Sequence, residues 1–330
     1  MVTSLADESR LLAELRGLAE QGRHREVLDR LQTEPAAVLE HRTSFALLAA
    51  EAHGRLGAYD EARRWTELAL AAAHMRGEPQ AELRARNFEG AIALLRGDLD
   101  EAERCFAEAL ELARLALDHA TQARCFNNLG IIAFLRGDPA SALASYRLAL
   151  AAYQQAGLVR GVAETHHNMA ISWRELGDHG RALGAADQAV RLASEVRDDS
   201  LIGLALTGRA EVHLAMGDAA LATAELLRAA DAYERVRFQA GLAEVWRVQA
   251  AVARSQGQPA DALRLLSQAA ELAEQRGSAE AVAAIQRDLG AALAAQGDRA
   301  GARAARERAV AVYRRLGATK AATEIAALLA

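Results

Sequence analysis

Aromatic residues make up only 4% of this 330-residue chain and there are 4 prolines, while Val, Ile and Thr are sparse. A sheet is packed from β-branched and aromatic side chains, so little material for one is present. Two cysteines, Cys105 and Cys125, are too few for the disulfide framework of a secreted domain, and two buried thiols are expected rather than a bridge. Lysine is nearly missing: of 39 basic residues, 38 are arginine and one is Lys320, a bias that fits GC-rich coding. The net charge of −5 carries no basic footprint for nucleic acid. No uncharged apolar run approaches the ~18 residues of a membrane span. Met1 to Arg10 lacks the basic-then-apolar order of a signal peptide. The expectation is a cytoplasmic protein without cofactors that engages neither nucleic acid nor membrane.

What is abundant is alanine, with 81 residues, accompanied by Leu, Arg and Glu, all good helix formers. A fixed period organises them. Gly57, Gly97, Gly137, Gly177, Gly217, Gly257 and Gly297 stand 40 residues apart. Alanine follows each glycine at the fifth place (Ala62 to Ala302) and at the twelfth (Ala69 to Ala309), and a small residue precedes it by seven: Ala50, Gly90, Gly130, Ala170, Ala210, Ala250, Gly290. Such a period is the signature of a repeat architecture.

Each glycine ends one helix, because the left-handed conformation costs it almost nothing. Asp98, Asp138, Asp178, Asp218 and Asp298 follow at once, placed to cap the next helix. Pro139 and Pro259 fall at the first helical position, where a missing N–H is harmless, and Asp98 with Glu101 has capping-box spacing. Gly77, Gly157, Gly277 and Gly317, twenty residues further on, end four of the second helices. Each unit is therefore a helix–turn–helix whose small residues allow close antiparallel packing, and stacking buries what a lone pair cannot.

The sequence FNNLGIIAFLRGDPASALASYRLALAAYQQAG from Phe126 to Gly157, repeated more loosely from His167 to Ala193, resembles the tetratricopeptide repeat. The usual unit of that family is shorter than the 40-residue spacing found here. Longer units resemble those of signalling adaptors and of bacterial regulators with a maltose-activator-like sensor region. The resemblance implies an all-α, right-handed α-solenoid, a superhelix of antiparallel helix pairs. Residues 43–320 read as seven repeats, residues 1–42 as a degenerate helix pair (Ser9 to Gln32, turning at Gly22 with Leu28 and Leu31 inward) and a linker broken at Glu34-Pro35, and residues 321–330 as a capping helix. The apolar Ile325, Leu328 and Leu329 of that last helix either pack back on the final pair or meet another chain.

In this family the first helices line the concave face. Places 13, 10, 9, 6 and 3 before the turn glycine share one side of each first helix. They select a groove of Arg84, Asn87 and Phe88; Arg124, Asn127, Asn128, Ile131 and Phe134; Glu164, His167, Asn168, Ile171 and Arg174; then Thr207, Glu211, Arg247 and Arg254. The asparagines carry donor and acceptor together and suit a peptide backbone. Grooves of the family use asparagine at the places of Asn128 and Asn168 for that purpose. Ile131, Ile171 and Phe134 would form apolar pockets, and Arg84, Arg124, Arg174 and Arg247 could hold carboxylates. The alternative is that the asparagines satisfy one another and the arginines are solvated.

His166 and His167 are adjacent, so they point ~100° apart and do not make a metal pair. His53, Trp173 and His213 share one place and read as inter-helix packing; Phe106, Tyr146, Tyr153, Tyr233 and Tyr313 read as core or seam. The chain shows no phosphate loop, nucleophile elbow or metal-ligand spacing, and no enzyme is expected. The expected work is non-catalytic: a scaffold or adaptor holding a peptide segment of another protein in its groove. The alternatives are a sensor that changes curvature around a ligand or peptide, and self-association through the C-terminal helix, which leaves monomer or homodimer open. With little chain before Ser9 or after Lys320, a sensor's output would come from a partner.

Overall fold

The computed structural model describes residues 5–20, 23–33, 43–276 and 279–329. The expectations for Gly22, Glu34-Pro35 and Gly277 lie outside them. The described residues form 17 helices and no strand. They are α1 (Leu5–Glu20), α2 (His24–Gln32), α3 (Thr43–Arg55), α4 (Tyr59–Arg76), α5 (Pro79–Arg96), α6 (Leu99–Leu115), α7 (His119–Leu135), α8 (Pro139–Gln155), α9 (Val159–Glu175), α10 (His179–Glu195), α11 (Asp199–Ala215), α12 (Ala219–Arg235), α13 (Gln239–Ser255), α14 (Pro259–Arg276), α15 (Ala279–Ala295), α16 (Arg299–Arg315) and α17 (Thr319–Ala326). Within each compact unit, neighbouring helices pack on one another as the stacked pairs of an α-solenoid. The chain forms two compact units, residues 1–125 and 126–330.

The local chemistry of the turns follows the sequence closely. All seven turn glycines have positive φ, from 73° to 84°. At the Gly137 turn, the Gly137 amide donates to the Phe134 carbonyl (2.8 Å) and the Asp138 amide to the Ala133 carbonyl (3.0 Å), which satisfies two helix-end carbonyls. The five expected aspartates each accept from the backbone amide three residues on, at 2.9–3.1 Å. Asp118 and Asp198 do the same for α7 and α11. At Asp98 the reciprocal half of a capping box is replaced, since the Glu101 carboxylate turns to Arg63 at 3.7 Å. The second glycine column is imperfect: Leu117, Arg197 and Arg237 take its place with φ of 53°, 54° and 54°.

Packing explains the small-residue column. In the first unit, a Cβ on Gly90 would stand 2.9 Å from the Phe106 ring; in the second, a Cβ on Gly130 would stand 2.4 Å from Tyr146. Where the column carries Ala210 or Ala250, the residue nine past the turn is Leu226 or Leu266, and all four are buried. At these four places a small residue is matched by a large one nine past the turn, so the interior stays filled, whereas Gly290 instead faces the Arg306 side chain. Tyr233 lies between Gly203 and Gly241, whose Cβ positions would be 2.6 and 2.5 Å from it. Trp173 packs beside Ala170 and Ala182, with the Arg181 guanidinium 4.7 Å from its ring centre.

In the first unit, α1, α2 and α3 share a core of Leu11, Leu15, Val27, Leu31 and Phe45, with Leu28 only partly buried against it. Cys105 and Cys125 are both buried free thiols, each pushed up to about 12 by burial. In the second unit, α17 starts at Thr319 and packs Ala322 and Ile325 into a cluster with Val310 and Tyr313, leaving Leu328 exposed.

Candidate functional site

The first unit contains four of the predicted groove residues, of which the half-buried Phe88 packs toward Gly54. Arg84 is exposed. Asn87 is half-buried, its Oδ1 accepting from the Cys125 thiol at 3.6 Å. Arg124 is exposed and donates to Thr121 Oγ1 at 3.1 Å.

The second unit contains the rest. Asn127, Asn128, Ile131 and Phe134 of α7 and His167, Asn168, Ile171 and Arg174 of α9 are all half-buried. One link joins the two helices: Asn127 Oδ1 accepts from Asn168 Nδ2 (3.1 Å) and from Thr165 Oγ1 (3.3 Å). The Asn127 carbonyl is thus committed to the chain itself, whereas Asn128 makes no side-chain hydrogen bond among the described residues. His167 reaches the next first helix, where a Cβ on Gly208 would stand 2.6 Å from its Nδ1. Burial pulls its basicity down to about 4, with nearby Arg174 adding to the effect and Glu211 opposing it. His166 goes elsewhere, into a cleft of about 310 Å³ that it lines with Tyr153, Leu158, Val162 and Arg191.

The arginines differ most from the simple expectation of free carboxylate anchors. Arg174 is paired with Glu211 at 2.6 Å. Arg247 is only 8% exposed, and its guanidinium is held by Glu211 (2.5 Å), Glu244 (2.5 Å) and Asp288 (3.1 Å). Arg287 adds a contact to Asp288 at 2.8 Å. Because these residues sit on α9, α11, α13 and α15, the pairs form a continuous relay across four successive first helices. Three carboxylates already saturate Arg247. Glu211 was singled out from the sequence columns; Glu244, at place 13 before Gly257, and Arg287 and Asp288, at places 10 and 9 before Gly297, occupy the same columns and were passed over, although opposite charges on the shared face of neighbouring first helices mark them.

The relay sets the electrostatics of this wall. Burial pushes the Glu211 carboxyl up, but Arg174 and Arg247 more than reverse that and bring it to about 2. Glu280, at the start of α15, is raised by burial and then by repulsion from Glu244, with Arg247 only partly compensating. The arrangement is a polar ion-pair brace on the same set of first helices as the half-buried Ile171. Among the described residues no group of three His, Cys, Asp or Glu side chains is placed to hold a metal ion. No described helix is long and apolar enough to cross a membrane.

Comparison with known proteins gives the same architecture. Residues 82–155 and 241–315 match the tetratricopeptide repeat model. The Rap conjugation gene regulator of plasmid pLS20 in complex with the Phr* peptide is similar over 93% of this chain and 95% of its own, with a TM-score of 0.69 and 14% identity. A Rap protein complexed with competence and sporulation factor is similar over 97% and 96%, with a TM-score of 0.63 and 15% identity. NprR in complex with its cognate peptide NprX is similar over 93% and 89%, with a TM-score of 0.64 and 15% identity. At these identities the likeness concerns the fold. No curated protein matches the sequence significantly. Residues 82–155 and 241–315 are thus tetratricopeptide repeats, and glycine-closed helix pairs every 40 residues carry the same solenoid architecture through the rest of the repeat array.

Proposed function

We propose that this protein is a non-catalytic, cytoplasmic module that binds a peptide segment of a partner along the first helices of residues 126–330. The observation that carries the reading is the pairing of a pre-braced wall with an open strip. The relay from Arg174 to Asp288 fixes the spacing of α9, α11, α13 and α15. Beside it Asn128, Ile131, Phe134 and Ile171 remain half-buried, with the Asn128 amide uncommitted. Apolar anchors in a rigid groove supply affinity, and an amide fixes the register of a backbone irrespective of its side chains. Solved proteins of similar fold include complexes with the Phr* peptide and NprX.

Arg174 and Arg247 serve in this reading as braces, and Asn128 is the principal backbone contact. The test is capture of a partner from native lysate by the wild type and by Asn128→Ala. That substitution removes no hydrogen bond inside the chain, so helicity stays unchanged while capture falls roughly tenfold, the equivalent of one good hydrogen bond. Equal capture by both proteins would refute the assignment. The sensor alternative is favoured over a passive scaffold by one feature: the last helix of this unit returns to its first repeat.

A further inference from the structure

The return of α17 joins parts of the chain nearly two hundred residues apart. Lys320, the only lysine of the protein, places its Nζ 3.6 Å from a Glu175 carboxylate oxygen at the end of α9. Its aliphatic stem crosses the Gly137 turn so closely that a Cβ there would stand 2.6 Å from Lys320 Cδ. Leu135, at the end of α7, packs against the apolar cluster of Tyr313, Ala318, Ala322 and Ile325. A charged contact, a stem-on-backbone contact and an apolar contact therefore coincide on one patch. The same closure places the Tyr146 phenol within the field of Glu280, although their helices α8 and α15 are separated by three repeats.

We propose that α17 is a latch: it docks on the Leu135–Gly137–Glu175 patch of its own chain, closes residues 126–330 into a ring, and must release for a partner to enter along the first helices. The entry role rests on the peptide-binding reading above, while the docking does not. The Lys320–Glu175 pair is about half exposed on each side and screened by salt, so it guides the docking more than it holds it. The apolar contact through Leu135 supplies most of the closing force. Such a balance suits a contact that opens and closes.

The test needs no partner. A water-soluble carbodiimide couples a lysine amine to a carboxylate in contact, forming an amide with loss of one water. Lys320 supplies the single side-chain amine, so digestion and mass spectrometry identify its partner without ambiguity. The expected product is a monomer carrying a Lys320–Glu175 link. In Leu135→Asn, which keeps both reacting groups and adds no carboxylate, the yield falls roughly tenfold, the equivalent of one buried leucine contact, while circular dichroism stays at the wild-type value. A less disruptive Leu135→Ala variant, with a smaller loss, covers the case in which the asparagine unfolds the unit. Absence of the link in the wild type, or its formation only between two molecules, would overturn intramolecular docking. For the entry role, the linked and unlinked wild type are compared in the lysate capture assay. The linked protein captures the partner at least tenfold more slowly, and equal rates would overturn gating. Failure of Asn128→Ala to affect capture would count against the binding site alone, leaving the latch as measured by linkage.

Discussion

Replacing Glu211 by glutamine isolates the centre of the ion relay. In the folded chain this carboxyl titrates at about 2, against 4.5 for the free group. A depressed acid contributes stability that is complete above its unfolded value and is lost as pH falls through its folded value. The shift corresponds to about 3 kcal/mol, present at neutral pH and lost between about pH 4.5 and 2. Little is discounted for solvent, because the Glu211 side chain is only 16% exposed. The assay is urea unfolding at neutral and acid pH, followed by the fluorescence of Trp173 in α9 and Trp246 in α13. Local probes are needed because a stack of repeats need not unfold in one step. Glu211→Gln is expected to be less stable than wild type by about 3 kcal/mol at pH 7 and to lose most of this acid dependence. Arg247→Met has the opposite pH signature. It leaves Glu211, Glu244 and Asp288 facing one another without their shared cation, costs about 3–5 kcal/mol at pH 7, and is relieved as acid protonates them. An unchanged acid dependence in Glu211→Gln would refute the assignment of the relay.

Three further outcomes are expected. Glycine at Leu117, Arg197 or Arg237 relieves a left-handed residue that costs about 1–2 kcal/mol, offset in part by glycine's greater freedom when unfolded, so each variant gains about 0.5–1 kcal/mol in urea melts. Gly130→Ala drives a methyl toward the Tyr146 ring and lowers stability by about 1–3 kcal/mol in the same assay, with α7 and α8 losing hydrogen-exchange protection first. Asp178→Ala leaves the Arg181 amide uncapped and costs about 1 kcal/mol, visible as fraying at the start of α10 by hydrogen exchange.

The fold was legible because its determinants are local and recur. A glycine at every fortieth place, an aspartate beside five of the seven and alanine at fixed offsets specify a turn, a cap and a close packing face before any tertiary contact exists. The irregular places were not legible: Leu117, Arg197 and Arg237 lack the glycine that marks a turn yet adopt its backbone conformation, because the stack imposes the turn even where the residue resists it. The site was less legible. Placing Asn127 and Asn168 at nearby positions of two repeats could not tell whether each amide would face a ligand or the other; their hydrogen bond commits the Asn127 carbonyl inward and leaves Asn128 as the free group.

The sequence by itself determined the helix pairs, their turns and the residues that can share a face, because those depend on spacing along one helix and on the conformational preferences of single residues. Only the tertiary structure decided that Arg247 would be shared by carboxylates from three first helices and that Lys320 would return to Glu175. Both depend on the small rotation from each repeat to the next. That rotation accumulates over the stack from the packing of many side chains, and no single stretch of sequence states it.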